Sequence, residues 1–385
     1  MIQRIPLKDL CSIDITDGTH KTPTYVDSGY IFLSSKNVTS GEIDWDNVMY
    51  IPEELHKELY QRLAPQKDDI LLAKNGTTGV AALVDKEEIF DIYVSLALIR
   101  PDKNKIIPKY LLYAINSESS KRYFDSHLKG VGVPNLHLTH IRETPISVPD
   151  FRTQEEIIKR LDKVSDLIAK RRQQLAKLDF LVEARFTEMF KQIQEMSRLE
   201  EYTILITKGA SPKWQGIDYA EYGTLFITSE NVREGYLDLS RRKYLDSQIN
   251  EIQPRSILKK DDILINIVGA SIGRAAVYDL DDLANINQAV ALIRLRKNML
   301  NQKFLLTFLN SAKALELYDS MKKGGARDNL SLKNIADLPI PKAPLDLQNQ
   351  FSVFVEQTEQ TKISIKESLT KLETLKKALM QEYFG

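Results

Sequence analysis

Cysteine is almost absent: Cys11 stands alone in 385 residues. That excludes a disulfide framework and a cysteine zinc cluster, and it suits a reducing compartment. No apolar run approaches the ~18–20 residues of a membrane span. The opening Met1-Ile2-Gln3-Arg4-Ile5-Pro6 has no signal-peptide pattern, so a cytoplasmic, soluble protein without membrane contact is expected. His137 and His140 are three apart, as metal ligands can be. No other ligand cluster accompanies them, so packing or surface histidines are expected and no metal. A phosphate-binding loop and a nuclease carboxylate–lysine constellation are both missing, which argues against intrinsic catalysis. There is no charge excess either, with 53 basic against 53 acidic residues. Residues 1–150 carry 17 Lys/Arg against 21 Asp/Glu, and residues 198–345 carry 21 against 18. Phosphate neutralisation normally drives nonspecific nucleic-acid affinity. Any such ligand is therefore read by local patches or shared with a more basic partner.

What is present is periodicity. From Thr153 to Phe190, apolar residues fall at Ile157, Leu161, Val164, Ile168, Leu175, Leu178, Val182 and Met189, with Arg171 and Arg185 breaking the beat. Steps of four and three mark the seam of a coiled coil. Thr153 with Glu156 reads as a capping box that starts the helix. At ~1.5 Å per residue, such a helix is roughly 55 Å long. A rod of that length is a spacer and needs a second rod. Adding 194 to the seam gives Phe351, Val355, Thr358, Ile365, Leu369, Leu372 and Tyr383, with Lys362, Lys376 and Leu379, the last opposite Arg185, in weaker slots. Asp346, after Pro344, is the expected cap of this second helix.

The same offset runs through the rest of the chain. Gly29 to Val38 matches Gly223 to Val232, Ala97 to Arg100 matches Ala291 to Arg294, and Asn116-Ser117 matches Asn310-Ser311. One unit is written twice, as a domain duplication. The expected fold is α+β, with globular domains at 1–150 and 198–345 and long helices at 151–197 and 346–385. Strands are predicted at Tyr30–Val38, Asp69–Ala73, Ala81–Val84 and Ser95–Arg100, and a helix over Lys109–Leu128. Antiparallel pairing of the rods, with a pseudo-twofold repeat, is preferred to parallel pairing.

Several exposed-loop candidates carry chemistry suited to nucleic acid. Lys74-Asn75-Gly76-Thr77-Thr78-Gly79 and its twin with Ser271 and Arg274 are short glycine loops. They serve either to bring backbone N–H groups to a phosphate or simply to make a tight turn. Lys129, and the more basic run with Lys322, Lys323 and Arg327, mark a second loop pair, read as a contacting tip or a solvated connector. Asn37 and Asn231 end matched strands; asparagine can bond adenine, but the turn role is preferred. Lys36 stands beside Asn37. Lys21 lies in the loop after Gly18, and Lys213 with Trp214 lies in the loop after Gly209. Trp214 is either a stacking contact or core.

The whole chain resembles the specificity subunit of a type I restriction-modification system. The resemblance rests on two copies of domain plus helix and on the approach to each rod: Asn135, Leu136, Ile141, Pro145, Ile146 against Asn329, Leu330, Ile335, Pro339, Ile340. The rod endings, Leu178 to Phe190 and Leu372 to Phe384, also carry it. The family's usual Pro-Pro-Leu…Glu-Gln run into each rod is incomplete here, at 148–155 and 343–350. The resemblance implies two target recognition domains, each reading one half of a split duplex DNA sequence. It implies rods that set the gap and dock two methyltransferase subunits, which would carry S-adenosylmethionine and flip the target adenine. A restriction endonuclease/translocase subunit would join for cleavage. This chain would itself be non-catalytic and bind no cofactor. It has no Pro-Pro dipeptide, which a DNA adenine methyltransferase needs in its catalytic loop. The alternatives are the specificity subunit of a system with fused methylase and nuclease, and a coiled-coil scaffold that binds protein and no DNA.

Overall fold

The computed structural model describes residues 3–39, 41–128, 134–321 and 328–385. The chain forms two compact units, Met1–Arg172 with Glu367–Gly385, and Gln173–Lys366. Each unit holds one globular head and a stretch of both long helices.

In the first head, strand Ile70–Ala73 lies between Leu96–Ile99 and Ala81–Leu83, and Thr16–Asp17 lies outside Leu96–Ile99; every pair is antiparallel. All four residues of Ile70–Ala73 are buried. Alternation along the strand sends Ile70 and Leu72 into a core with Tyr110 and Leu111, and Leu71 and Ala73 into one with Leu33 and Phe90. The strand is thus covered on both faces. A three-stranded sheet sets Tyr30–Leu33 between Met49–Ile51, antiparallel, and Phe90–Ile92, parallel.

The second head repeats the plan. Asp262–Asn266 lies between Val290–Leu295 and Ala275–Tyr278, with Thr203–Lys208 outside. Its second sheet gains a strand, Tyr219–Ala220, beside Tyr244–Leu245. In both heads a short ladder ties the beginning of the head to the segment feeding the long helix: Gln3–Pro6 with Pro145–Val148, and Met196–Arg198 with Pro339–Pro341.

Two expected elements are shorter than their sequence pattern. The strand starting at Tyr30 stops at Leu33 and passes into a tight helical turn, Ser35–Val38. The helix expected over Lys109–Leu128 divides into Pro108–Ile115 and Glu118–Ser126. The cause is local hydrogen bonding. The Asn116 amide bonds both backbone groups of Ala81 at 2.9 Å, and Ser117 Oγ accepts from the Ser120 N–H to start a new helix. Asn310 does the same to Ala275 in the second head.

The long helices run Phe151–Phe190 and Leu345–Phe384. The first begins before Thr153, because the Asp150 carboxylate accepts the Thr153 N–H at 2.8 Å and acts as the cap. Asp346 sits inside the first turn of the second helix, not at its cap. Its charge there still favours the positive end of the helix dipole. Ile157, Leu161, Val164, Ile168, Phe351, Val355, Thr358 and Ile365 are buried. Leu175, Leu178, Val182, Leu369, Leu372 and Leu379 are half-buried. At the broken slot the core residue is Phe186, one position past exposed Arg185.

Within each unit the helices run antiparallel. In the first, Arg160 donates to the Tyr383 hydroxyl and Arg172 pairs with Glu373. In the second, Asp179 pairs with Lys362 and Phe186 packs on Phe351. The packing on the heads is matched as well. Phe384 lies 5.3 Å from the Tyr110 ring, and Phe190 lies 4.7 Å from the Phe304 ring. A buried glutamine clips each helix start to its head. Gln154 Oε1 accepts from Ile107 N at 2.9 Å and its amide donates to Pro149 O; Gln348 bonds Asn301 N and Ala343 O likewise. These clips satisfy backbone groups that would otherwise be buried unpaired. No helix among the described residues is long and apolar enough to cross a membrane.

Candidate nucleic-acid interface

The framework under the loops is held by one matched Arg–Asp ion pair in each head, its carboxylate buried. Arg100 reaches Asp69 with two bonds of 2.8 Å, and Arg294 reaches Asp262 with bonds of 2.7 and 2.6 Å. Paired, planar contacts of this kind are the strong ones.

Of the sequence-selected residues, several turn inward. Asn37 and Asn231 are buried. Their side-chain oxygens accept from Ser34 N and Thr228 N at 2.9 Å, and their amides donate to the carbonyls of Asn47 and Asp238. Both are turn residues, with no free edge for adenine. Lys74 is buried against the Asp17 carboxylate at 3.2 Å, so its charge is neutralised inside the head. In the glycine loops, Gly76, Gly79, Gly269 and Gly273 all have positive φ, a conformation that glycine adopts without strain. Their N–H groups bond within the head: Gly76 to Pro134 O, Gly79 to Ala73 O, Gly269 to Asp328 O, Gly273 to Asn266 O. The tight-turn reading accounts for these four glycines. Ser271 Oγ accepts from the Asn266 amide, and Arg274 stands 3.7 Å from Glu234.

Other candidates face water. Lys21, Lys36, Thr77 and Lys213 are exposed, while Asn75 and Thr78 are half-buried. Trp214 is 88% exposed, which rules out a core role. Lys129, Lys322, Lys323 and Arg327 lie outside the described residues. His137 caps a short helix, and the His140 ring lies 4.5 Å from that of His127. Among the described residues no group of three or more His, Cys, Asp or Glu could hold a metal ion.

Trp214 is rigidly presented. It sits in the turn Pro212–Gln215, which closes through Trp214 N to Ser211 O and Ile217 N to Pro212 O. Pro212 and Ile217 are buried anchors on either side, whereas residues 213–216 are all exposed. Tyr219 and Tyr222 are also exposed nearby in sequence. Beside the turn lies a pocket of about 350 Å³ lined by Lys208, Gln215, Gln253, Arg255 and Ser256 among others. Neither Lys208 nor Arg255 has an ion-pair partner among the described residues. Neither had been singled out from the sequence, because an isolated lysine and arginine carry no motif. A larger groove of about 1160 Å³ in the same unit mixes Arg233, Arg274 and Lys303 with Glu183, Glu234 and Glu359. It offers no field of one sign.

A family model, described as the type I restriction modification DNA specificity domain, matches residues 2–178 and again 189–377. The type I restriction enzyme EcoBI specificity subunit of Escherichia coli is 24% identical over 358 residues, covering 82% of this chain and 73% of that protein. A chain from a solved structure concerned with complex assembly and conformational transition of the type I R-M system has a TM-score of 0.63 at 17% identity. It covers 99% of this chain and 97% of its own. The type I restriction-modification system S subunit from M. genitalium has a TM-score of 0.53 at 15% identity, covering 100% of this chain and 96% of its own.

Proposed function

Because the chain belongs to the type I restriction-modification DNA specificity family, we propose that each of its two heads reads one half of a bipartite duplex DNA sequence. The observation that carries this reading is the duplication itself. One framework occurs twice, with matched buried bonds and unlike exposed loops. Two such heads suit two unlike half-sites separated by a gap. The paired helices set that gap, as a ruler whose length is fixed by packed side chains.

The helices also dock two methyltransferase subunits. Support comes from apolar side chains outside the seam: Phe180 at 71% exposure, with Leu181 and Ile363, in the second unit, and Leu167 and Leu375 in the first. Large apolar groups left in water commonly mark a protein interface. Methyl transfer from S-adenosylmethionine, and cleavage by an endonuclease/translocase subunit, belong to those partners. This chain supplies no catalytic group.

The test is a genome-wide map of adenine methylation in the source cell with and without the gene. Loss of a split motif with two unlike halves is the expected result. An unchanged map, in a cell where the chain co-purifies with an active methyltransferase, overturns the reading.

A further inference from the structure

The two heads differ at one place where their backbones coincide. Asp17 pairs with Ala97 in the first head, and Lys208 pairs with Ala291 in the second, each just before a glycine. A Cβ on Gly18 would lie 1.9 Å from Ile92 O, and one on Gly209 would lie 1.7 Å from Ile286 O, so both glycines are required by the same close approach. In the first head this corner is closed internally. Asp17 neutralises Lys74, and Arg62 donates to the Asp17 carbonyl at 3.0 Å. In the second head the position of Asp17 is Lys208, that of Lys74 is Ile267, and that of Arg62 is Arg255. The acid is gone, the internal cation is gone, and two basic side chains face a pocket instead.

Two cations, with no carboxylate in the lining, match a phosphate oxygen cluster. We infer that this pocket of the second head seats a backbone phosphate of duplex DNA, with Trp214 on the adjoining turn set against the neighbouring nucleotides. The inference rests on the DNA-reading role proposed above. Phosphate contacts position a protein on the duplex. Here the contact fixes the register from which the rigid Trp214 turn reaches the groove. At the matching corner of the first head, Asp17 takes up the Lys74 charge instead.

The full chain is tested with a random-sequence duplex at low salt. In Lys208→Ala/Arg255→Ala, the slope of log affinity against log salt falls by about 0.9, the loss of one neutralised phosphate. In Trp45→Phe, Trp214 becomes the single tryptophan, and its emission shifts when duplex is added. If the wild-type chain binds duplex, the double variant keeps the wild-type slope and Trp214 emission stays still, the inference falls while DNA reading stands. A pocket that takes inorganic phosphate without changing the duplex slope also overturns it. A wild-type chain that, with its methyltransferase partner, binds neither random duplex nor duplex carrying the split methylation motif overturns the DNA reading of the head and this seat with it. Lys208 and Arg255 are exposed, so the double variant should melt as the wild type does.

Discussion

The two heads share one set of buried bonds and differ in others and in their loops. Asp69–Arg100 and Asp262–Arg294, Asn116 and Asn310, and Gln154 and Gln348 make the same contacts in each. Elsewhere the copies part, in the interior as well as in the loops. His56 bonds Asp91 at 2.7 Å in the first head; at the same places the second has Asn250 and Asn285, bonded at 3.1 Å. Gly18 to Gly29 spans eleven positions, while Gly209 to Gly223 spans fourteen. The three added residues fall in the loop that presents Trp214. Residues that close backbone hydrogen bonds cannot drift without leaving a buried polar group unpaired. Residues that contact only water can.

The comparison can be broken most forcefully at the aromatic anchors. Phe190→Ala and Phe384→Ala each remove a ring packed on a head, and each should cost about 3–5 kcal/mol in its own unit. Calorimetry that resolves the units checks this. A large loss in one and none in the other ends the equivalence.

Next come the clips. Gln154→Ala and Gln348→Ala leave Ile107 N–H and Asn301 N–H without partners and should each cost about 1–3 kcal/mol, read by denaturant unfolding. Equal losses support a shared framework.

Trp214→Ala should change stability by less than about 0.5 kcal/mol, as an exposed substitution. It should nevertheless alter the methylation map in one half of the motif only. Alteration of both halves would mean that the heads do not read separately.

The smallest effect is with pH. Burial raises the Asp91 carboxyl above its ordinary value of 3.8, and the His56 hydrogen bond opposes this only in part. A group raised on folding holds its proton more tightly in the folded head. Its contribution to stability is full below the unfolded value and is lost as pH rises through the folded one. Asp91→Asn, the amide already present at Asn285, removes that slope. As pH is lowered toward about 4, the wild-type first unit should gain stability relative to the variant, and the second unit should not respond.

Much of this was legible beforehand. The 4-3 beat located both long helices, because a helix that buries one stripe against another must repeat apolar residues at that interval. The beat failed at Arg185, since the ring that fills the slot, Phe186, is one residue out of step. It is held there by Phe304 and Phe351, from segments far along the chain. The cap at Asp150 was missed because Thr153 and Glu156 satisfy the same local pattern. Only the backbone hydrogen bond distinguishes the two.

The interface was harder to read. Lys74, Asn37 and Asn231 have the chemistry of nucleic-acid contacts, yet all three are buried and bonded within their heads. Trp214, as readily a core residue by type, points into solvent. Lys208 and Arg255 lack any motif, and they become a pair only because strand Thr203–Lys208 and the turn Pro254–Ser256 line one pocket.

By itself, then, the sequence determined the duplication, the two long helices, their seam and the family, since each is written in spacing along the chain, and spacing survives without coordinates. The tertiary structure alone decided which polar side chains are used internally and which face solvent. That choice depends on partners brought from distant positions, such as Asp17 to Lys74, and no local pattern records them.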